Sequence, residues 1–136
     1  MIKIAPSILS ADFARLADAL QQAEAGGADW IHVDCMDGHF VPNLTIGAPV
    51  VKALRKETKL PPDVQLMIEK PEQLIDAFVD AGADYLTVHV EAATHLHRTI
   101  ERIRELGAKP GASLNPGTPL SSLDENLPYV HLVFIM

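Results

Sequence analysis

A histidine and an aspartate stand two positions apart in the stretch Ile31-His32-Val33-Asp34. The β-branched residues between and before them predict a strand, and alternate residues of a strand point to the same face of a sheet. His32 and Asp34 are therefore expected to lie side by side. An imidazole beside a carboxylate can transfer protons at a reacting centre, or it can be a satisfied hydrogen-bonded pair in a core. The spacing alone leaves both interpretations open.

The residues around this pair belong to a repeated pattern. Residues 25–34 (AGGADWIHVD) resemble residues 80–89 (DAGADYLTVH), and residues 105–109 (ELGAK) form a shorter third copy. In each copy a glycine stands where a helix is expected to end, and a short apolar strand follows it. These glycines are Gly27, Gly82 and Gly107.

Strands alternate with helices along the chain. Predicted strands lie near residues 3–9, 29–34, 63–68, 84–90, 110–114 and 130–136. Asp12 is expected to cap a helix that runs to about Ala25. The inner face of this helix is expected to carry Phe13, Leu16 and Leu20. This order of elements predicts an α/β fold with a parallel sheet and right-handed crossovers, in a single domain of residues 1–136.

The composition excludes several classes of partner. Hydrophobic residues make up 48% of the 136 residues, which is enough for a buried core. The net charge of −7 argues against nucleic acid and against an anionic membrane surface, but a small phosphorylated substrate is still possible because phosphate is bound locally. No apolar run is long enough to cross a membrane. The single cysteine, Cys35, fits a reducing cytoplasm.

The last predicted strand, residues 130–136 (VHLVFIM), is apolar and has no formal charge. A bare strand edge of this composition is a template for pairing with another chain. We therefore expect another copy of the chain to cover it, in a homodimer or a larger homo-oligomer. The alternative is a chain that folds only in part and aggregates.

Five segments of the chain, in order, resemble the signature of one enzyme family. They are APSILSADF at 5–13, IHVDCMDGHFVPN at 31–43, LMIEKPE at 66–72, VHVEA at 88–92 and SLNPGTPL at 113–120. This family is ribulose-phosphate 3-epimerase. The resemblance extends along the whole chain, so its motifs are specific.

The resemblance implies a TIM-type (β/α)8 barrel of the ribulose-phosphate-binding class. Such barrels typically have about 250 residues, whereas this chain has 136. Its last predicted strand corresponds to the sixth strand of the family. The expected fold is therefore an incomplete α/β barrel of parallel strands, with about five and a half βα units.

The resemblance also implies an isomerase of the pentose phosphate pathway, which interconverts D-ribulose 5-phosphate and D-xylulose 5-phosphate. It implies that Asp34 is one of two acid/base carboxylates. It further implies that His32 and Asp34 bind a divalent metal such as zinc or iron(II). A metal would stabilise, as a Lewis acid, the enediolate that forms when the proton next to the ketone is removed.

Further substrate contacts are implied by the same resemblance. Ser7 matches a serine that touches the substrate in the family, and a turn or capping hydroxyl is the alternative. The other implied substrate-binding residues are His32, Gln65, Met36, Met67 and Met136. The three methionines match those that line the family's pocket, and the alternative for them is packing in the core. His89 is expected near His32 at the mouth of the barrel, as a replacement ligand or as a structural hydrogen-bonded histidine.

Two departures from the family pattern argue against full activity. Gln65 stands where the family has a metal-binding histidine, and an amide oxygen is a weaker ligand than imidazole for a zinc-like ion. The alternative for Gln65 is a buried amide satisfied by its neighbours. The second acid and the phosphate-binding loops of the family have no counterpart in residues 1–136. We expect weak or absent metal binding and little or no epimerase activity. The alternative is a non-catalytic, self-associating half-barrel with vestigial site residues.

Overall fold

Five parallel strands form one sheet in the computed structural model, which describes residues 1–136. Their order across the sheet is their order in the chain: β1 (Ile31–Met36), β2 (Pro62–Met67), β3 (Tyr85–His89), β4 (Lys109–Leu114) and β5 (Leu132–Ile135). The α-helices are α1 (Leu16–Ala25), α2 (Ala48–Glu57), α3 (Ile75–Asp80) and α4 (Leu96–Glu105). Short 3₁₀ helices span Ile8–Ser10, Phe13–Arg15, Pro71–Gln73, Leu120–Leu123 and Leu127–Tyr129. The parallel α/β arrangement is the one predicted from the alternation of elements.

The strand predicted at residues 3–9 is wrong. The segment runs beside β1, where the carbonyl oxygens of Ile4 and Pro6 accept hydrogen bonds from the next segment of the chain. Only Ser7 forms a bridge, with His32. Pro6 has no N–H to donate to a ladder, and Ser7 already caps the first 3₁₀ helix by accepting a hydrogen bond from the Leu9 N–H. The first segment therefore ends in a turn before a ladder forms.

The predicted helix beginning at Asp12 also differs at its start. Asp12 caps the 3₁₀ helix Phe13–Arg15, and α1 begins only at Leu16. Phe13, expected on the inner face, is 42% exposed, whereas Leu20 is fully buried. The reason is that a 3₁₀ turn has three residues per turn, so the helical period used for the prediction does not apply to Phe13.

The three predicted helix ends are confirmed. Gly27, Gly82 and Gly107 have φ angles of 84°, 107° and 94°. Each stands two residues after the end of α1, α3 or α4 and two to four residues before the next strand. A left-handed residue at this place satisfies the last carbonyl groups of the helix, and glycine adopts it without a steric cost.

The two faces of the sheet have different compositions. Against the helices lie apolar side chains such as Val33, Leu66 and Leu86, within one core of 18 buried residues. On the other face the strand register pairs Asp34 with Gln65, and Gln65 with Thr87. The polar residues of this face are His32, Asp34, Asp63, Gln65, Thr87, His89 and Ser113. The fold therefore gathers the polar side chains of four strands on one surface.

The strand β5 forms one edge of the sheet and pairs only with β4. It covers Leu132–Ile135, a shorter range than the predicted 130–136. Ile135 is 61% exposed and Met136 is 49% exposed. Separately, none of the helices has the length and apolar character that a membrane-spanning segment needs.

Candidate active site

His32 lies on the polar face of β1 and is almost completely buried. Its Nδ1 is 2.8 Å from Asp63 Oδ2, and its Nε2 is 3.2 Å from Asp34 Oδ1 and 3.3 Å from Gln65 Oε1. All three partners are acceptors, so both ring nitrogens donate. Burial lowers the pKa of His32, but the hydrogen bonds and negative charges of Asp34 and Asp63 outweigh it and raise this pKa to about 10. His32 is therefore an imidazolium at neutral pH.

Asp34 stands near the carboxyl end of β1 with both carboxylate oxygens hydrogen-bonded. Oδ1 accepts from His32, and Oδ2 accepts from the hydroxyl of Ser7. Burial raises the pKa of Asp34, whereas the hydrogen bonds from His32 and Ser7 lower it, and the net effect is a pKa below the usual value. Asp34 is therefore ionised and able to accept a proton. Its backbone is held by Thr45, whose hydroxyl donates to the Asp34 carbonyl at 2.7 Å.

Gln65 joins two histidines through the two ends of its amide. Its Oε1 faces His32 Nε2, and its Nε2 lies 3.2 Å from His89 Nε2 and 3.3 Å from the sulfur of Met136. Gln65 is 1% exposed, and these neighbouring side chains, not water, satisfy its amide. A continuous line of hydrogen bonds consequently crosses β1, β2 and β3 from Asp63 to His89.

Two aromatic rings cover the histidines. Phe134 of β5 stacks on His32 with ring centroids 5.2 Å apart. Phe40, in the loop after β1, packs at a tilt on His89 with centroids 4.8 Å apart. That loop is held by Asp37, whose carboxylate accepts hydrogen bonds from the backbone N–H groups of His39, Phe40 and Glu69. Both rings shield the hydrogen bonds of the site from water.

Three atoms of the site have the chemistry of ligands for a small divalent cation, once His32 Nε2 has lost its hydrogen. They are His32 Nε2, Asp34 Oδ1 and Gln65 Oε1, with 3.2 and 3.3 Å from the nitrogen to the two oxygens. Ligand atoms about 2.1 Å from a tetrahedral zinc ion are about 3.4 Å apart. No cluster of three His, Cys, Asp or Glu residues suited to a metal occurs in the chain, and Gln65 contributes only a neutral amide oxygen to this set.

Residues 3–136 match a sequence model described as the ribulose-phosphate 3 epimerase family. The ribulose-phosphate 3-epimerase of Treponema pallidum (strain Nichols) is 58% identical over 133 residues, which cover 98% of this chain and 61% of the relative. The ribulose-phosphate 3-epimerase of Bacillus subtilis (strain 168) is 57% identical over 136 residues, which cover 100% and 63%. The chloroplastic ribulose-5-phosphate-3-epimerase of Arabidopsis thaliana is 56% identical, with 99% and 49% covered.

The chain belongs to the ribulose-phosphate 3-epimerase family. The predicted family and fold class are confirmed, and the five-stranded parallel sheet is part of the TIM barrel of the epimerases. The chain spans 61% and 63% of the length of the two bacterial epimerases. The activity, substrate and partners of a complete epimerase are therefore proposals for this chain.

The structure brings most of the predicted epimerase site residues together. Ser7, His32, Asp34, Gln65 and Met136 form one contact network. Met36 and Met67 are register partners at the carboxyl ends of β1 and β2, on the same face as Asp34. Met67 is buried and Met36 is half-buried.

Reasoning from the sequence missed two residues of this candidate site, Asp63 and Glu91. Asp63 stands two positions before Gln65, and Glu91 stands two positions after His89. Side chains two positions apart in a strand share a face, which is how His32 and Asp34 were predicted to be neighbours. The same rule places Asp63 on the face of Gln65, so it could have identified Asp63 as a site residue. Glu91 lies beyond the end of β3, where that alternation no longer predicts direction.

Proposed function

We propose that residues 1–136 form the proton-abstracting part of a ribulose-phosphate 3-epimerase, which interconverts D-ribulose 5-phosphate and D-xylulose 5-phosphate. The observation that carries this proposal is the carboxylate of Asp34. It stands near the carboxyl end of a parallel strand, where barrel enzymes hold their active sites. It is kept ionised and oriented by Ser7 and His32.

The chemistry starts with the C3–H bond of ribulose 5-phosphate, next to the C2 ketone. Asp34 takes the proton, and the electron pair of the broken bond forms the C2–C3 double bond of an enediolate. The hydrogen bonds from Ser7 and His32 hold the Asp34 carboxylate in one orientation, which favours attack from one face of the substrate. Inversion needs a proton on the opposite face. The family resemblance assigns this proton to a second acid, for which residues 1–136 have no counterpart.

The proposal includes a divalent cation such as zinc or iron(II). His32, Asp34 and Gln65 would hold it, and it would supply Lewis-acid stabilisation of the negative charge on the substrate oxygen. Of these three residues, His32 and Asp34 are of the types that bind zinc strongly. A catalytic zinc site usually has three such ligands from the protein. His32 must also lose the Nε2 proton before it can bind a cation. We therefore expect weak cation binding by residues 1–136.

The expected activity of this chain follows from these residues. Asp34 can remove a proton and return it to the same face, which gives hydrogen exchange at C3 without inversion. Residues 1–136 have an excess of acidic residues and, in the site, no arginine or lysine that could hold the phosphate. We expect slow exchange at C3 and little or no D-xylulose 5-phosphate.

The test is an NMR assay in D₂O with D-ribulose 5-phosphate and added zinc or iron(II). We expect deuterium to appear at C3 with the 136-residue chain and not with the variant Asp34→Asn, whose amide cannot accept the proton. Exchange that survives Asp34→Asn would contradict the role of Asp34. Rapid formation of D-xylulose 5-phosphate would contradict the expected low activity, and no exchange at all would favour the second candidate function.

The second candidate is a non-catalytic protein that associates with other copies of itself. The observation that favours it is the edge of β5, which has one neighbouring strand and exposes Ile135 and Met136. An apolar strand edge of this kind pairs readily with another chain.

We also propose that the protein is located in the cytoplasm, where thiols stay reduced. The single Cys35 supports it, since it has no second cysteine to pair with in the chain. Burial, and next the charge of Asp34, raise the pKa of the Cys35 thiol to about 12, so this thiol is inert.

A further inference from the structure

His89 is completely buried, and each of its ring nitrogens has one side-chain partner. Nδ1 is 3.0 Å from Glu91 Oε1, and Nε2 is 3.2 Å from Gln65 Nε2. An ionised carboxylate only accepts hydrogen bonds, and an amide nitrogen only donates them. His89 Nδ1 therefore carries the hydrogen and donates to Glu91. In the neutral ring Nε2 is then the acceptor, and the Gln65 amide donates to it.

This tautomer determines which way the amide of Gln65 points. With its Nε2 against His89 and Met136, Gln65 has its Oε1 against the donating Nε2 of His32. A flipped amide would place an oxygen against the lone pair of His89 and an NH₂ group against the N–H of His32. Both contacts would be repulsive, and both groups would be buried without a hydrogen-bond partner, which is strongly unfavourable.

Glu91 is itself held from a fourth strand. Its two carboxylate oxygens accept from the backbone N–H of Asn115, at 3.3 and 3.2 Å, directly after the end of β4. Burial raises the pKa of Glu91, but the hydrogen bonds from His89 and Asn115 lower it more, so this carboxylate stays an acceptor. The backbone after β4 thus fixes Glu91, and Glu91 fixes the tautomer of His89.

We propose that Glu91 and His89 are positioning residues that hold the Gln65 amide oxygen toward His32. That this oxygen would help to hold a cation rests on the proposed function, whereas its orientation does not. Glu91 and His89 would not touch the substrate. They would act through Gln65, in the way that outer residues orient the groups of a binding site.

The test is NMR of the ¹⁵N-labelled 136-residue chain at about pH 8, where an ordinary histidine is neutral. Long-range ¹H–¹⁵N correlations identify which nitrogen of His89 carries the hydrogen, and nuclear Overhauser effects locate the Gln65 NH₂ group. We expect the Nδ1–H tautomer and an NH₂ group close to His89 and Met136. An Nε2–H tautomer in the unmodified chain would overturn the proposal, whatever the variants do.

Variants of Glu91 separate positioning from general packing. Glu91→Ala should give a mixture of both tautomers of His89 and two orientations of the Gln65 amide. Glu91→Gln should retain the native pattern, because its amide oxygen still accepts from His89 Nδ1. Glu125→Ala, at an exposed glutamate, is the matched control. Unchanged tautomer and amide signals in a folded Glu91→Ala would overturn the proposal.

The same variants keep this proposal distinct from the proposed function. Substitution of residues that orient the groups of a site typically lowers activity by about 10–100-fold. The C3 exchange rate should therefore fall about tenfold in Glu91→Ala and stay at the rate of the unmodified chain in Glu91→Gln. If exchange is undetectable in the unmodified chain, the proposed function fails, and the NMR result still decides the orientation of Gln65.

Discussion

At the scale of single residues, the site depends on a positive charge placed between two negative ones. His32 lies between Asp34 and Asp63, and this environment favours its protonated form. A metal ion and the Nε2 proton of His32 would compete for the same lone pair. Without a cation, the folded protein is stabilised by the Nε2 proton of His32. The affinity for a cation should therefore increase as the pH rises and this proton is lost.

The protonation of His32 predicts how stability changes with pH. Its folded pKa of about 10 exceeds the ordinary value of 6.5, so its contribution to the free energy of unfolding is complete below about pH 6.5 and is lost as the pH rises through about 10. At 1.4 kcal/mol per pKa unit, the contribution is at most about 5 kcal/mol.

Urea unfolding between about pH 6 and pH 10 measures this effect. The difference in the free energy of unfolding between the unmodified chain and His32→Gln should be largest at the acidic end of the range and shrink toward pH 10. His95→Gln, at an exposed histidine, is the control and should show no such trend. A difference that is constant with pH would contradict the assignment of His32 as an imidazolium.

At the scale of elements, β3 and β4 approach each other so closely that one position excludes any side chain. Gly111 is the register partner of Thr87. A Cβ atom on Gly111 would lie 2.2 Å from Thr87 Oγ1 and 3.1 Å from Thr87 Cβ. Both strands are buried here, so neither can move aside without disturbing the packing.

Gly111→Ala should therefore lower the free energy of unfolding, by about 1–3 kcal/mol as in other overpacked cores. Urea unfolding of the variant measures the loss. Gly117→Ala is the matched control, since a Cβ atom at Gly117 meets nothing within 4 Å. Equal stabilities of the two variants would show that β3 and β4 are not packed this closely.

The elements were largely predictable from the sequence, because each is specified by local residues. The three glycines and the apolar runs after them determine where helices end and strands begin. The first segment was mispredicted because Pro6 and the capping hydroxyl of Ser7 outweigh its apolar pattern. The partners of the site residues were less predictable. The contact between Gln65 and His89, for example, depends on the register between β2 and β3, which no single segment determines.

At the scale of the whole molecule, the open edge of β5 predicts self-association of the 136-residue chain. Light scattering should give a dimer or a larger species for the unmodified chain. Ile135→Lys, which places a charge on this edge, should shift the population toward monomer. Leu120→Lys, at a leucine that is 67% exposed and lies outside β5, is the control and should not shift the population. A monodisperse monomer of the unmodified chain would contradict pairing through β5.

The cover over His32 and Gln65 comes from a strand at the edge of the sheet. Phe134 stacks on His32 and Met136 contacts Gln65, yet β5 is bonded on one side only. Edge elements open locally at a lower free energy than the rest of a domain. When β5 detaches from β4, water reaches more of the charged network, and the attraction between its charges weakens. The electrostatics of the site therefore depend on how firmly β5 stays attached to β4.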